Sequence, residues 1–166
     1  MGELREYTVG TVAEPGNTLP IERGIGVDTP GFAEKLLEIA DEARKFSYCP
    51  YSKYSVGAAL LCMDGSIYTG CNAETAAFTG ICAERNAFFK AISEGKKGFL
   101  AIAVSGGPAE LAAEECTPCG VCRQVMNEFV SPHDFAIITR DKEGKVKSYS
   151  LDELLPMSFG AGNLNI

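Results

Sequence analysis

Two short stretches, Ile81-Cys82-Ala83-Glu84-Arg85 and Thr117-Pro118-Cys119-Gly120-Val121-Cys122-Arg123, restrict what this chain can fold into more than anything else in it. Cys82, Cys119 and Cys122 are soft, anionic ligands when deprotonated, a set that suits a tetrahedral Zn²⁺ with its fourth position left for water. Any fold that uses them must bring two well-separated turns together. Glu84, two positions after Cys82, is placed to carry a proton, and a purely structural metal site has no use for a carboxylate there.

The chain has 166 residues, 46% of them hydrophobic and 22% charged. That is the size of one ordinary domain able to bury a core without disulfide staples. No apolar run approaches the roughly 20 residues of a membrane helix, so the expectation is a soluble protein with no membrane partner. Residues 1–6 show neither the basic nor the apolar region of a secretory signal, which points to the cytoplasm. Seven cysteines form an odd count and two of them sit in a CxxC, so reduced thiols and metal chemistry are expected over a disulfide framework. With 15 basic and 22 acidic residues the net charge is −7. Such a field disfavours nucleic acid polymers, whose binding rests on phosphate neutralisation, and favours a small uncharged substrate.

Residues 1–29 carry Pro15 and Pro20 among scattered glycines and show no sustained period, an irregular N-terminal arm preceding a single domain at 30–166. Asp28-Thr29-Pro30 reads as a helix start, and Phe32, Leu36, Ile39, Ala40 and Ala43 then share one face, giving an amphipathic helix over 30–46. Val56 to Cys62 and Ser66 to Cys71 form a hairpin turned by Asp64-Gly65. Strand alternation carried past Cys71 puts Asn72 and Glu74 on one side of the chain, facing a common pocket. Ile81 to Glu94 reads as a mostly buried helix ended by Gly95, with Cys82 in its first turn. Phe99 to Ser105 is an apolar strand, Gly106 to Glu115 a loop, and Gly120 to Val130 a helix with Cys119 and Cys122 at its N-terminus. Phe135–Thr139 and Val146–Tyr149 are strands, and Leu151–Leu155 is a short helix. The sum is an α/β fold, a three-layer sandwich with a mixed five-stranded sheet flanked by helices.

Both cysteine turns fall at predicted helix N-termini, where unpaired N–H groups and the positive dipole end favour thiolates. Three thiolates on Zn²⁺ leave a local charge of −1, which weakens the metal as a Lewis acid. Arg85 or Arg123 is expected to hydrogen-bond to sulfur and compensate. Water activated at such a centre, with its pKa lowered toward ~7, would pass a proton to Glu84 and attack an amidine-like carbon. Other readings of the cysteines stay open: a thioredoxin-type dithiol, part of an iron–sulfur run through Cys116, or a closed structural zinc using Cys116, Cys71 or His133. His133, in a Ser-Pro-His loop, reads as solvated; Cys49, Cys62, Cys71 and the Phe88-Phe89 pair read as core.

A cysteine and a glutamate two apart followed by Pro-Cys-x-x-Cys is a signature of zinc nucleobase deaminases. Over residues 30–164 the chain resembles the small, homotetrameric cytidine deaminases. The matching segments are CPYSKYSVGAALL at 49–61, GCNAE at 70–74, GICAER at 80–85, PCGVCRQV at 118–125 and ELLPMSFG at 153–160. The resemblance implies zinc-dependent hydrolysis of cytidine and 2′-deoxycytidine to the uridines, with release of ammonia. It implies zinc ligation by Cys82, Cys119 and Cys122, proton transfer by Glu84 and ligand-charge tuning by Arg85. Asn72 and Glu74 match positions that grip the ribose 3′-hydroxyl, backbone around Ala83 would contact the exocyclic amine, and Tyr54 lies beside the base. Phe159 matches an aromatic extended into a neighbouring subunit's site, so a homotetramer with shared active sites is implied. Three positions depart from the pattern: Tyr54 replaces a usual phenylalanine, Ser55 a common proline and Phe78 a common tyrosine. Alternatives are a deaminase of a modified cytosine nucleoside such as blasticidin S, a zinc-stabilised binding protein with an inactive site and, more distantly, a polynucleotide editor.

Overall fold

A computed structural model describes residues 31–164. The expected arm at 1–29, with its boundary to the domain, lies outside the described residues, as do the helix-capping positions Asp28 and Thr29. Within them the order is α1 (Phe32–Arg44), β1 (Tyr54–Cys62), β2 (Ile67–Cys71), α2 (Ala83–Ser93), β3 (Phe99–Pro108), α3 (Gly120–Phe129), β4 (Ala136–Arg140), β5 (Val146–Ser150) and α4 (Leu151–Leu154), with a final 3₁₀ turn at Ala161–Asn163. The strands make one sheet in the order β2-β1-β3-β4-β5. The β3–β4 pair is parallel, joined by the α3 crossover, and the other pairs are antiparallel. This is the mixed five-stranded sheet expected from the sequence.

Alternation along the strands builds the layers. Ala58, Leu60 and Cys62 of β1, Ile102 and Val104 of β3, and Ile137 of β4 point to the side covered by α2 and α3. Their neighbours Ala59, Leu61, Ala101, Ala103 and Ile138 point to the side covered by α1. The sheet is thus buried on both faces, and its central strands read as near-continuous apolar runs for that reason. Phe88 on α2 is fully buried and sits 4.9 Å from Phe99 and 6.0 Å from Phe135, ring to ring. Phe89, expected to join it, is 43% exposed, because adjacent positions on a helix face different ways.

Two glycines set how closely the helices approach. A Cβ on Gly57 would lie 2.0 Å from the Ala40 carbonyl oxygen of α1, and one on Gly70 would lie 2.3 Å from the Ala83 oxygen and 2.6 Å from the Ala87 nitrogen of α2. Gly70 therefore seats the start of α2 on β2, two residues before Asn72.

The element ends differ from the sequence reading in three instructive places. α1 begins after Gly31, which holds the N-cap position in the left-handed region at φ 85°. Gly106 and Gly107, expected in a loop, extend β3, because Val56 and Ser55 of β1 supply the pairing that local composition does not reveal. Cys82 is the N-cap of α2 and lies outside its first turn. α4, by contrast, starts where expected, with Ser150 and Glu153 forming a capping box.

Candidate active site

The residues of the two cysteine turns meet. Cys82 and Cys119 are the N-caps of α2 and α3, both with extended backbone, and Cys122 lies in the first turn of α3. The three sulfurs lie within 4.8 Å of one another, and the Cys82–Cys119 pair is 3.9 Å apart. Two sulfurs each ~2.3 Å from one tetrahedral zinc would be about 3.8 Å apart, so the donor set fits the ion. The positive ends of two helices converge on the same point, which favours thiolate there.

The residues considered for a closed four-ligand site are elsewhere. The Cys116 thiol packs against Gly106, Cys71 donates to the Phe46 carbonyl, and the exposed His133 pairs with Asp152 at 3.3 Å. Among the described residues no fourth cysteine, histidine or carboxylate joins the three sulfurs. That is the ligand count of a catalytic centre. Of the other cysteines, Cys62 is core, as expected, while Cys49 and Cys71 are only half-buried.

Arg85 donates from Nη2 to the Cys82 sulfur at 3.6 Å, the compensating cation that three thiolates require. A hydrogen bond from Cys122 pulls the Cys82 thiol down to about 5, with Arg85 and Cys119 adding to it against burial. Cys122, the donor to that thiolate, is pushed up, and burial adds to the effect. Arg123, the other candidate, does not reach sulfur. Its guanidinium donates to the carbonyls of Pro118 and Leu154, each at 2.7 Å, and to Thr117 Oγ1. A side chain one residue after Cys122 leaves the helix on a different face from the ligand.

Glu84 is the second residue of α2 and only 4% exposed. Burial pushes its carboxyl up, and the negative Cys82 sulfur adds to the shift. A carboxyl that is easy to protonate, beside a metal-binding cluster, suits the transfer of a proton in both directions.

The polar pair at 72 and 74 is tied to this cluster through Ala73, which exchanges both main-chain hydrogen bonds with Ile81, the residue before Cys82. Asn72 accepts from Val56 N–H at 2.8 Å and donates to the Tyr54 carbonyl at 2.9 Å. Glu74 accepts from the N–H groups of Tyr51 and Ser52. The hydrogen bonds from Ser52 lead in holding Glu74 below the usual carboxylate range. Residue types do not announce the anchoring role of Tyr51 and Ser52, because main-chain donors leave no residue-type signal. Ala83 is fully buried at the start of α2, and Tyr54 is half-buried with its ring edge against the same Gly106 face as Cys116. Phe159 is 60% exposed, and the side chains that hold its carbonyl are Gln124 and Asn127 of α3.

A three-sulfur centre beside a buried glutamate in a mixed α/β sandwich is the arrangement of a zinc-dependent hydrolytic enzyme. Residues 31–137 match the family model described as the cytidine and deoxycytidylate deaminase zinc-binding region. The cytidine deaminase of Sporosarcina psychrophila is 43% identical over 136 residues, covering 80% of this chain and 94% of the relative. That of Halalkalibacterium halodurans is 42% identical over 134 residues, covering 80% and 97%. The crystal structure of cytidine deaminase from Burkholderia pseudomallei, 40% identical, superposes with a TM-score of 0.68 over 76% of this chain and 98% of that one. The chain belongs to the cytidine and deoxycytidylate deaminase family.

Proposed function

We propose that this protein hydrolyses cytidine and 2′-deoxycytidine to uridine and 2′-deoxyuridine, releasing ammonia, as a cytoplasmic enzyme of pyrimidine salvage. The observation that carries this is the buried Glu84 carboxyl beside the convergent sulfurs of Cys82, Cys119 and Cys122. Zinc held by those sulfurs supplies a Lewis acid that makes water a nucleophile near neutral pH. Glu84 takes one proton from the attacking water as the C–O bond forms at C4 and passes it to the ring nitrogen. It then takes the second proton from the new C4 hydroxyl and delivers it to the amine, so that the C4 carbonyl forms as the C–N bond breaks and ammonia leaves. Arg85 withdraws charge from the Cys82 sulfur. Asn72 and Glu74 hold the ribose 3′-hydroxyl, their side chains already oriented by the Tyr51–Val56 segment. Main chain around Ala83 faces the exocyclic amine, and Tyr54 lies beside the base. Phe159 reaches from a neighbouring subunit of a homotetramer to complete the nucleoside site.

Following the ultraviolet absorbance of cytidine and deoxycytidine with zinc-replete protein tests the reaction. Turnover by the intact chain is expected, with a loss of at least ~10²-fold in Glu84→Ala at unchanged zinc content. Zinc binding without turnover by the intact chain would make it a binding protein with an inactive site.

A further inference from the structure

Helix α3 serves two sites at once. Its N-terminal end brings Cys119 and Cys122 to the sulfur cluster. Its side holds the segment that follows α4, and holds it at both ends. At the near end Arg123 Nη1 donates to the Leu154 carbonyl. At the far end Gln124 Nε2 and Asn127 Nδ2 both donate to the Phe159 carbonyl, at 2.8 and 3.2 Å, while Ser158 Oγ donates to Asn127 Oδ1 at 2.9 Å. Gly160 lies so close that a Cβ there would be 2.7 Å from Asn127 Nδ2.

Between these anchors Leu155 packs against the core, but the two large apolar side chains nearer the far end do not. Met157, at φ 56°, is fully exposed, and the Phe159 ring remains 60% exposed. A carbonyl that accepts from two side-chain amides has its direction fixed, whereas the ring on the same residue adds little to this subunit's own core. The main chain is pinned and the aromatic is aimed outward.

Resting on the shared-site reading above, we infer that Gln124 and Asn127 are positioning residues: they fix the Phe159 main chain so that its ring reaches the nucleoside site of a second subunit. Because they stand on the helix that carries Cys119 and Cys122, each subunit's metal end and the aromatic it lends move as one rigid piece. A pre-oriented ring loses little freedom on meeting the nucleoside, so the pair acts mainly on substrate binding.

The test pairs Gln124→Leu/Asn127→Ala with the near-isosteric Gln124→Glu/Asn127→Asp, which keeps the packing against Gly160 and replaces both donors by acceptors. Zinc content and assembly mass are expected to stay unchanged, while kcat/KM falls about tenfold, mostly through KM. Co-expressed subunits then separate the two readings. Glu84→Ala with Phe159→Ala gives hybrids in which an intact Glu84 site meets an intact Phe159, and activity should return. Glu84→Ala with either positioning double variant should return activity to the same extent. If the first mixture stays inactive, shared sites fall and this inference with them. If the first recovers and the second does not, the two amides act within their own subunit and the inference is overturned. Unchanged kcat/KM, or loss of zinc or assembly in the near-isosteric variant, overturns it as well.

Discussion

Arg85 and Arg123 show how much depends on where one side chain leaves a helix. Both follow a cysteine turn, yet only Arg85 meets sulfur, at 3.6 Å from Cys82, while Arg123 braces the carbonyls of Pro118 and Leu154. Replacing Arg85 by methionine removes the donor and keeps most of the side-chain bulk. The Cys82 thiol should become harder to deprotonate, and zinc affinity measured by chelator competition should fall about 10- to 100-fold, the usual effect of losing a partner of a metal ligand. An unchanged affinity would show that the helix ends alone stabilise the thiolates. Arg123→Met should leave zinc affinity far less affected, since none of its bonds reaches a ligand.

At the scale of elements, the site depends on close seating of helices on strands. Gly70→Ala would place a methyl group 2.3 Å from the Ala83 oxygen, against helix backbone that cannot rotate away. α2 must lift from β2, carrying Cys82 and Glu84 with it. Overpacking of this kind costs roughly 1–3 kcal/mol, readable as a shift of the urea midpoint, and zinc loading should fall in parallel. The β1–β2 hairpin has a second device. Lys96, just past α2, pairs with Asp64 in the turn at 2.5 Å, and Ser66 also donates to that carboxylate. Burial works against the charge on Asp64, but these hydrogen bonds outweigh it and hold the group at about 2, below its ordinary 3.8. A carboxyl lowered on folding contributes stability above its unfolded value and loses it as pH falls through the folded one. Lys96→Met should therefore destabilise by less than about 1 kcal/mol at pH 7, since half of the Asp64 side chain is in solvent. The difference from the parent chain in denaturant titrations should fade between pH 4 and pH 2. A difference that persisted at pH 2 would assign the effect to lost packing of the lysine stem.

For the molecule as a whole, zinc joins parts that the chain keeps apart, the start of α2 and the start of α3. Metal bound only by the folded state stabilises it by mass action, by about 2.7 kcal/mol when free zinc is 100 times its dissociation constant. Stripping zinc with a chelator should lower Tm, and re-addition should restore it, with Cys119→Ala showing no response. The sequence by itself determined the order of helices and strands, the two-sided burial of the sheet and which three cysteines form the cluster that fits a zinc ion. These are written locally: alternation every second residue assigns a strand's two faces, and a cysteine one helical turn from another must share its side. The tertiary structure decided what depends on partners distant in the chain. It extended β3 through Gly106 and Gly107 because β1 lay beside them, left Phe89 exposed while burying Phe88, and turned Asn72 and Glu74 onto the main chain of Tyr51–Val56. It also gave Arg85 the sulfur and Arg123 the carbonyls, and placed Phe159 on the outer side of the helix that holds the metal. Residue type announces what a group is able to bond; only the packing of separate elements decides which partner comes within 3 Å of it.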